Sequence, residues 1–460
     1  MKLTASIKID ENLRWRMAII VFTFCVGKIA SAQSDSENVK TSNWTSHFQL
    51  TVIGQSHSGF YAPYKGDNSL ADSVEPTAVS LTSTLFLGRK LWRGAAIYFD
   101  PEVAGGKGLS FATGVAGALN GETYRVGATE PQVFIARAYL QQHIALPNTK
   151  YEYVSDDANQ LADRVPTERV TISVGKFAIS DFFDYNSYGK DPRTQFFNWS
   201  IWANGAWDYP ADTRGYTYGI VTELIKPSWA IRFSSVAVPR IANYHLLEYK
   251  IPKAHSETLE LEHKIAIKER KGDIRLILSN TRSKAPSYTE GINALKTNNN
   301  FLLDVIGGDA ENTSYGGKKF GLGLNIEQEL TNDIGFFSRV GWNDGKYASW
   351  AFTEIDQTFT AGISVKGNWW KRNEDVFGIA LANNGISSGH RDFLKDGGYG
   401  FIIGDGTLNY GHEAIIESYY SAKVLRFLWF SFDYQFVKNP AFNKDRGPVH
   451  VFGLRGHVFL

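Results

Sequence analysis

Cysteine is almost missing from this 460-residue chain: Cys25 is the only one. Methionine is scarce as well, at 2, and proline at 14 is too sparse for a Pro-rich disordered chain; collagen and coiled-coil compositions do not fit either. Beyond the N-terminus no stretch approaches the ~18 consecutive apolar residues of a membrane-spanning helix. Charge of one sign is lacking too: 48 basic and 47 acidic side chains leave a formal net charge of +1, without a Lys/Arg run. A nucleic-acid partner is therefore not expected. What is plentiful is aromatic and small: 30 Phe, 22 Tyr, 12 Trp and 43 Gly. There is ample apolar material to bury or to set against lipid.

The N-terminus has the order of a targeting segment. Lys2, Lys8, Arg14 and Arg16 precede the apolar run Met17 to Gly27, which is too short to span a bilayer, and Ala30-Ser31-Ala32 follows as an A-x-A site. Residues 1–32 read as a signal peptide cleaved before Gln33, with 33–460 as the mature domain. Removing them takes the formal charge from +1 to −2. Phe24 stands where a lipoprotein signal needs a small residue, so Cys25 is not expected to carry lipid. Without it the mature chain has no disulfide, thiolate metal site or cysteine nucleophile.

Alternation of apolar and polar residues dominates the remainder. Leu259, Leu261, Ile265 and Ile267 interleave with Glu260, Glu262, Lys264 and Ala266; Phe320, Leu322, Leu324 and Ile326 interleave with Gly321, Gly323, Asn325 and Glu327. Leu428, Phe430, Phe432, Tyr434 and Phe436 repeat the pattern. Period two means strands with one apolar and one polar face. About sixteen such stretches run from 44–56 to 446–460, many near the ~9–11 residues a tilted strand needs to cross a bilayer. Short breaks such as Lys226-Pro227 and Thr331-Asn332-Asp333 alternate with long Gly/Asn/Asp-rich stretches such as 283–316 and 384–408. That is the organisation of an all-β, antiparallel transmembrane barrel, with short turns on one side and long loops on the other. A secreted β-sandwich or β-helix would share the alternation but not the loop pattern.

Signals of catalysis are weak. Gly105-Gly106-Lys107-Gly108 lacks the earlier glycine and the following Ser/Thr of a phosphate loop. The ten histidines form no H-E-x-x-H pair. Carboxylate pairs such as Asp181/Asp184 and Glu260/Glu262 are more simply lumen or loop residues. No enzyme activity, metal or cofactor is expected.

Two blocks resemble a known family. The first comprises Phe177 to Asp184, Asn186, Asp191-Pro192-Arg193-Thr194-Gln195-Phe196, Asn198-Trp199, Gly205 to Pro210 and Thr213 to Tyr216. The second comprises Glu417 to Tyr420 and Phe432 to Pro440. Together they resemble the carbohydrate-selective porins of the OprB type, over roughly 44 to 460. The final strand, alternating Phe452, Leu454, Gly456 and Val458 against Gly453, Arg455, His457 and Phe459, resembles the terminal signal of outer-membrane proteins. The usual terminal Phe is replaced by Leu460. The resemblance implies a sixteen-stranded barrel in the outer membrane of a Gram-negative bacterium, passing glucose-like monosaccharides and similar sugars. Its partners would be small carbohydrates and outer-membrane lipid, with a monomer or a trimer both open. A general diffusion porin and a secreted polysaccharide-binding β-protein are the alternatives.

A sugar presents hydroxyls that donate and accept, and apolar C–H faces, so a selective lumen should offer polar side chains beside aromatic rings. The segment 181–214 contains this mixture densely. Asp181, Asp184, Asn186, Asp191, Arg193, Gln195, Trp199, Trp207 and Arg214 are candidates for a constriction, with Arg193 offering a rigid fork of donors to sugar hydroxyls. The segment is long enough to fold inward; the alternative is an extracellular cap held by its own Trp and Asp/Arg contacts, Arg193 pairing with Asp181, Asp184 or Asp191. Strand parity places Arg137 and Gln141 on one face, opposite Phe134 and Leu140, and puts Arg275, Asp433, Gln435 and Arg455 on lumen faces. A charge in the outward band costs ~2–4 kcal/mol near the midplane.

Overall fold

The computed structural model describes residues 41–123 and 129–460. The expected signal peptide, 1–32, lies outside them. Eighteen strands follow in chain order among the described residues. The first eight are β1 (Trp44–His57), β2 (Ala78–Trp92), β3 (Ala95–Gly106), β4 (Gln132–Ala145), β5 (Tyr151–Val154), β6 (Asp163–Pro166), β7 (Arg169–Phe177) and β8 (Thr217–Ile225). Next come β9 (Trp229–Val236), β10 (His255–Ile267), β11 (Arg270–Ser283), β12 (Gly317–Glu329) and β13 (Ile334–Asn343). The last are β14 (Gln357–Gly367), β15 (Arg372–Gly385), β16 (Glu413–Leu425), β17 (Leu428–Lys438) and β18 (Val449–Phe459). All except β5 and β6 pair antiparallel in one closed barrel, so the expected sixteen-strand wall is observed.

Closure is made by β1 on β18, in a register that sets Gln49 opposite Phe459 and His57 opposite Val451. It leaves no strand edge to lipid, which could not hydrogen-bond it. Alternation then sorts the side chains. On β12, Phe320 and Leu322 face outward, 44% and 40% exposed, whereas Lys319, Asn325 and Glu327 are buried inside. No helix among the described residues is long and apolar enough to cross a membrane.

One end of the barrel carries β-turns and short links, such as Arg93-Gly94 and 330–333; the other carries long connections, notably 107–131, 178–216, 284–316 and 386–412. In outer-membrane barrels the short turns are periplasmic. One connection departs from that expectation. Residues 146–168, between β4 and β7 on the short-turn side, form the separate hairpin β5–β6. Its tip enters the barrel mouth: Asn159 Nδ2 donates to Asp100 at 2.9 Å, and Leu161 is buried beside Tyr98. Its strands have four residues each, too few to display a period.

Phe134 is a second correction. The register of β3 against β4 shifts between Asp100 and Pro101, a bulge that changes parity midway along β4. Phe134 therefore packs inside, against Tyr216 and Ala136, on the same side as Arg137; Leu140 faces outward as expected.

Candidate functional site

The β7–β8 connection leaves the wall at Phe177, crosses the lumen and returns at Thr217. It is fastened to the wall by charged groups placed inward through strand parity. Asp184, in the left-handed region at φ +55°, accepts from Arg339 Nε of β13 at 3.0 and 3.1 Å and from Asn325 Nδ2 of β12 at 2.6 Å. Its own backbone N–H donates to Glu260 of β10 at 2.7 Å. Arg339 also donates to the carbonyls of Ile201 (3.1 Å) and Gly189 (2.7 Å). Across the barrel, Asn198 N–H donates to Glu417 of β16, and Arg455 of β18 donates to the carbonyls of Pro192 and Gln195, each at 2.7 Å. Glycine on the wall makes room: a Cβ at Gly323 or Gly341 would lie 2.0 or 1.9 Å from the Asn204 amide.

Arg193 reaches the opposite wall. Nη2 donates to Glu102 and Nε to Glu122, both at 3.0 Å; Nη1 donates to Gln49 at 3.2 Å and Thr84 at 3.1 Å. Both carboxylates are buried, and Glu102 also accepts from Tyr216 Oη at 2.9 Å. The acidic partners of this guanidinium are thus wall and 107–131 residues, not Asp181, Asp184 or Asp191; from Arg193, Asp191 accepts the backbone N–H, at 2.9 Å, and not the side chain.

The remaining candidates fall into separate groups. Asp181 pairs with Arg137 at 2.7 Å. Burial pushes its carboxyl up, yet the guanidinium holds it below the ordinary value. Asn186 donates to Asn325, and Gln195 is occupied by backbone groups of Lys190, Asp191 and Ser187. Arg214 lies apart, donating to Gln132 at 2.6 Å and covering Phe134. Trp199 and Trp207 are 1% and 5% exposed, packed with Tyr209; Trp199 also meets Phe352 at a tilt. On the wall, Gln141 donates to Ser173, Arg275 sits among Glu262, Asp273 and Glu327, and Gln435 joins Asp433 to the Leu119 carbonyl.

A cavity of about 910 Å³ opens toward the short-turn end and stops against this inward segment. Gln49, Tyr188, Asp191, Arg193, Glu327 and His457 are among its lining residues; Trp199 and Trp207 are not. Gln49, Tyr188, Glu327 and His457 were not among the sequence candidates. Their strand parity or position in 181–214 was readable, but nothing local ranks them above their neighbours.

Lys190, whose ammonium lies 4.2 Å over the Tyr185 ring, adds a pH response. Burial lowers it to about 8 against the pull of Asp181 and Asp191. The group is charged below that pH and neutral above it, so between roughly pH 7 and pH 9 this region loses positive charge. Reversal potentials in planar bilayers are expected to show K⁺ gaining on Cl⁻ over that interval, with the step absent in Lys190→Gln. The same step in the variant would assign it to another group.

The model of the family described as carbohydrate-selective porin, OprB family, matches residues 78–459. Among solved structures, the high-pH structure of Pseudomonas putida OprB is similar at 15% identity and a TM-score of 0.65, covering 91% of this chain and 94% of that one. The low-pH structure of the same protein gives 12% identity and a TM-score of 0.46, covering 91% and 93%. Among curated proteins none matches the sequence.

Proposed function

The chain belongs to the OprB family of carbohydrate-selective porins, and on that premise we propose that its lumen passes neutral, glucose-like monosaccharides. It is a porin of the outer membrane of a Gram-negative cell, with the fold of a channel. The observation that carries the sugar reading is the polar end of the cavity. Gln49 offers donors and an acceptor, Asp191 and Glu327 offer acceptors, and the half-buried Tyr188 offers a ring for a C–H face. Arg193 holds this arrangement by tying the inward segment to β1, β2 and β3. Such contacts are individually weak, as flux requires. Liposomes containing the purified protein are expected to swell several-fold faster in glucose than in an amino acid of similar size. Equal rates would make it a general diffusion porin.

A further inference from the structure

We propose that the outer rim around Arg89 is a binding site for the phosphate of an anionic phospholipid in the periplasmic leaflet. The register fixes its depth. Trp44, Arg89 and Ile97 form one outward-facing row across β1, β2 and β3; the next row toward the bilayer centre is Ser46, Leu87 and Phe99. Phe48 and Leu85 follow. Facing residues repeat about every 7 Å along a strand, so Arg89 lies one such step outside the apolar band, at headgroup height.

A groove of about 430 Å³ runs between Trp44, Arg89, Lys90, Leu91, Trp92 and Arg93. Its walls are apolar and uncovered: Trp44 is 58% exposed, Trp92 57% and Leu91 43%. Its charge is positive. The Lys90 ammonium is answered by Asp163 at 2.5 Å, but among the described residues no carboxylate pairs with Arg89 or Arg93. Other points of the same rim are built differently, since Arg270 pairs with Glu329 and Arg372 with Asp375. Arg89 is held in place, its guanidinium 4.6 Å from the Trp44 ring, and Arg93 is steadied by Tyr151 Oη at 2.9 Å.

Guanidinium forks match phosphate oxygens, and indoles at an interface cover the glycerol and first methylenes of a lipid. A free phosphate would satisfy the two charges but leave Trp44, Leu91 and Trp92 uncovered. Two cations without carboxylates favour a lipid of net negative charge over a zwitterionic one.

The test uses the full barrel in non-ionic detergent, with retained lipid counted by native mass spectrometry. Phosphatidylglycerol is expected to bind in preference to phosphatidylcholine. The Arg89→Gln/Arg93→Gln variant should lose roughly thirtyfold in phosphatidylglycerol affinity, about fivefold per arginine. Heat-modifiable migration should confirm its barrel, and Arg270→Gln should retain the lipid. Millimolar inorganic phosphate should not displace the lipid. Equal retention by the folded double variant, equal loss in Arg270→Gln, or displacement by phosphate would each overturn the assignment.

Discussion

Replacing Arg339 with methionine is expected to free the β7–β8 segment from its seat, raise single-channel conductance and abolish discrimination between solutes. Arg339 is fully buried, and its guanidinium serves Asp184 together with the Ile201 and Gly189 carbonyls. Without it Asp184 remains buried with neutral amide and backbone donors from Asn325 and Asn204. Breaking such a pair by removing one partner costs about 3–5 kcal/mol. The barrel wall should survive, because its ladder is backbone to backbone and closes through β1 and β18. Heat-modifiable migration should therefore persist while conductance rises. Gly341→Val attacks the same seat sterically, since even a Cβ there would meet the Asn204 amide at 1.9 Å. Normal conductance and normal discrimination in both folded variants would show that the anchors at Arg193, Glu417 and Arg455 hold the segment without this one.

The difference between what strand parity reveals and what it hides is clear at these residues. Parity needs only neighbours in sequence, so the inward placement of Arg275, Asp433, Gln435 and Arg455 on the wall was readable, as was the barrel they line. Phe134 was not, because a single bulge against β3 reverses parity and leaves no mark in composition. The hairpin of residues 151–166 escaped for a related reason, its strands being only two periods long. The partners of the inward segment were hidden most deeply. Glu122 and Glu102 lie 71 and 91 positions from Arg193, and Asp184 is 155 from Arg339. Only barrel closure and loop inversion bring them together. Sugar hydroxyls were the expected partners of Arg193 and acidic residues close to it in sequence the alternative, yet the guanidinium is directed at Glu102, Glu122, Gln49 and Thr84. The tryptophans carried a similar ambiguity: a ring that could cover a sugar and a ring that fills a core have the same local sequence, and Trp199 fills a core.

Arg193→Ala separates two ways in which this arginine could govern selectivity. A direct donor would have N–H groups turned toward the cavity, and its loss would slow sugar alone. In the structure its N–H groups are directed at Glu102, Glu122, Gln49 and Thr84, so its part is to hold the segment against the wall. Removing it takes away the cation shared by two buried carboxylates, at about 3 kcal/mol. Glu102 keeps Tyr216 and Thr84, and Glu122 keeps Thr82, so each carboxylate retains a hydroxyl donor. The expected result is a folded barrel in which flux of a non-sugar solute rises several-fold while glucose flux is unchanged or higher. Arg193→Lys should restore the charge without the fork, recovering stability more fully than discrimination. Both solutes are to be measured in the same liposome preparation, because the sign of each change carries the distinction. A fall in glucose flux with non-sugar flux unchanged would instead make Arg193 a direct donor to the sugar. Unchanged discrimination in folded Arg193→Ala would remove it from the selectivity site altogether.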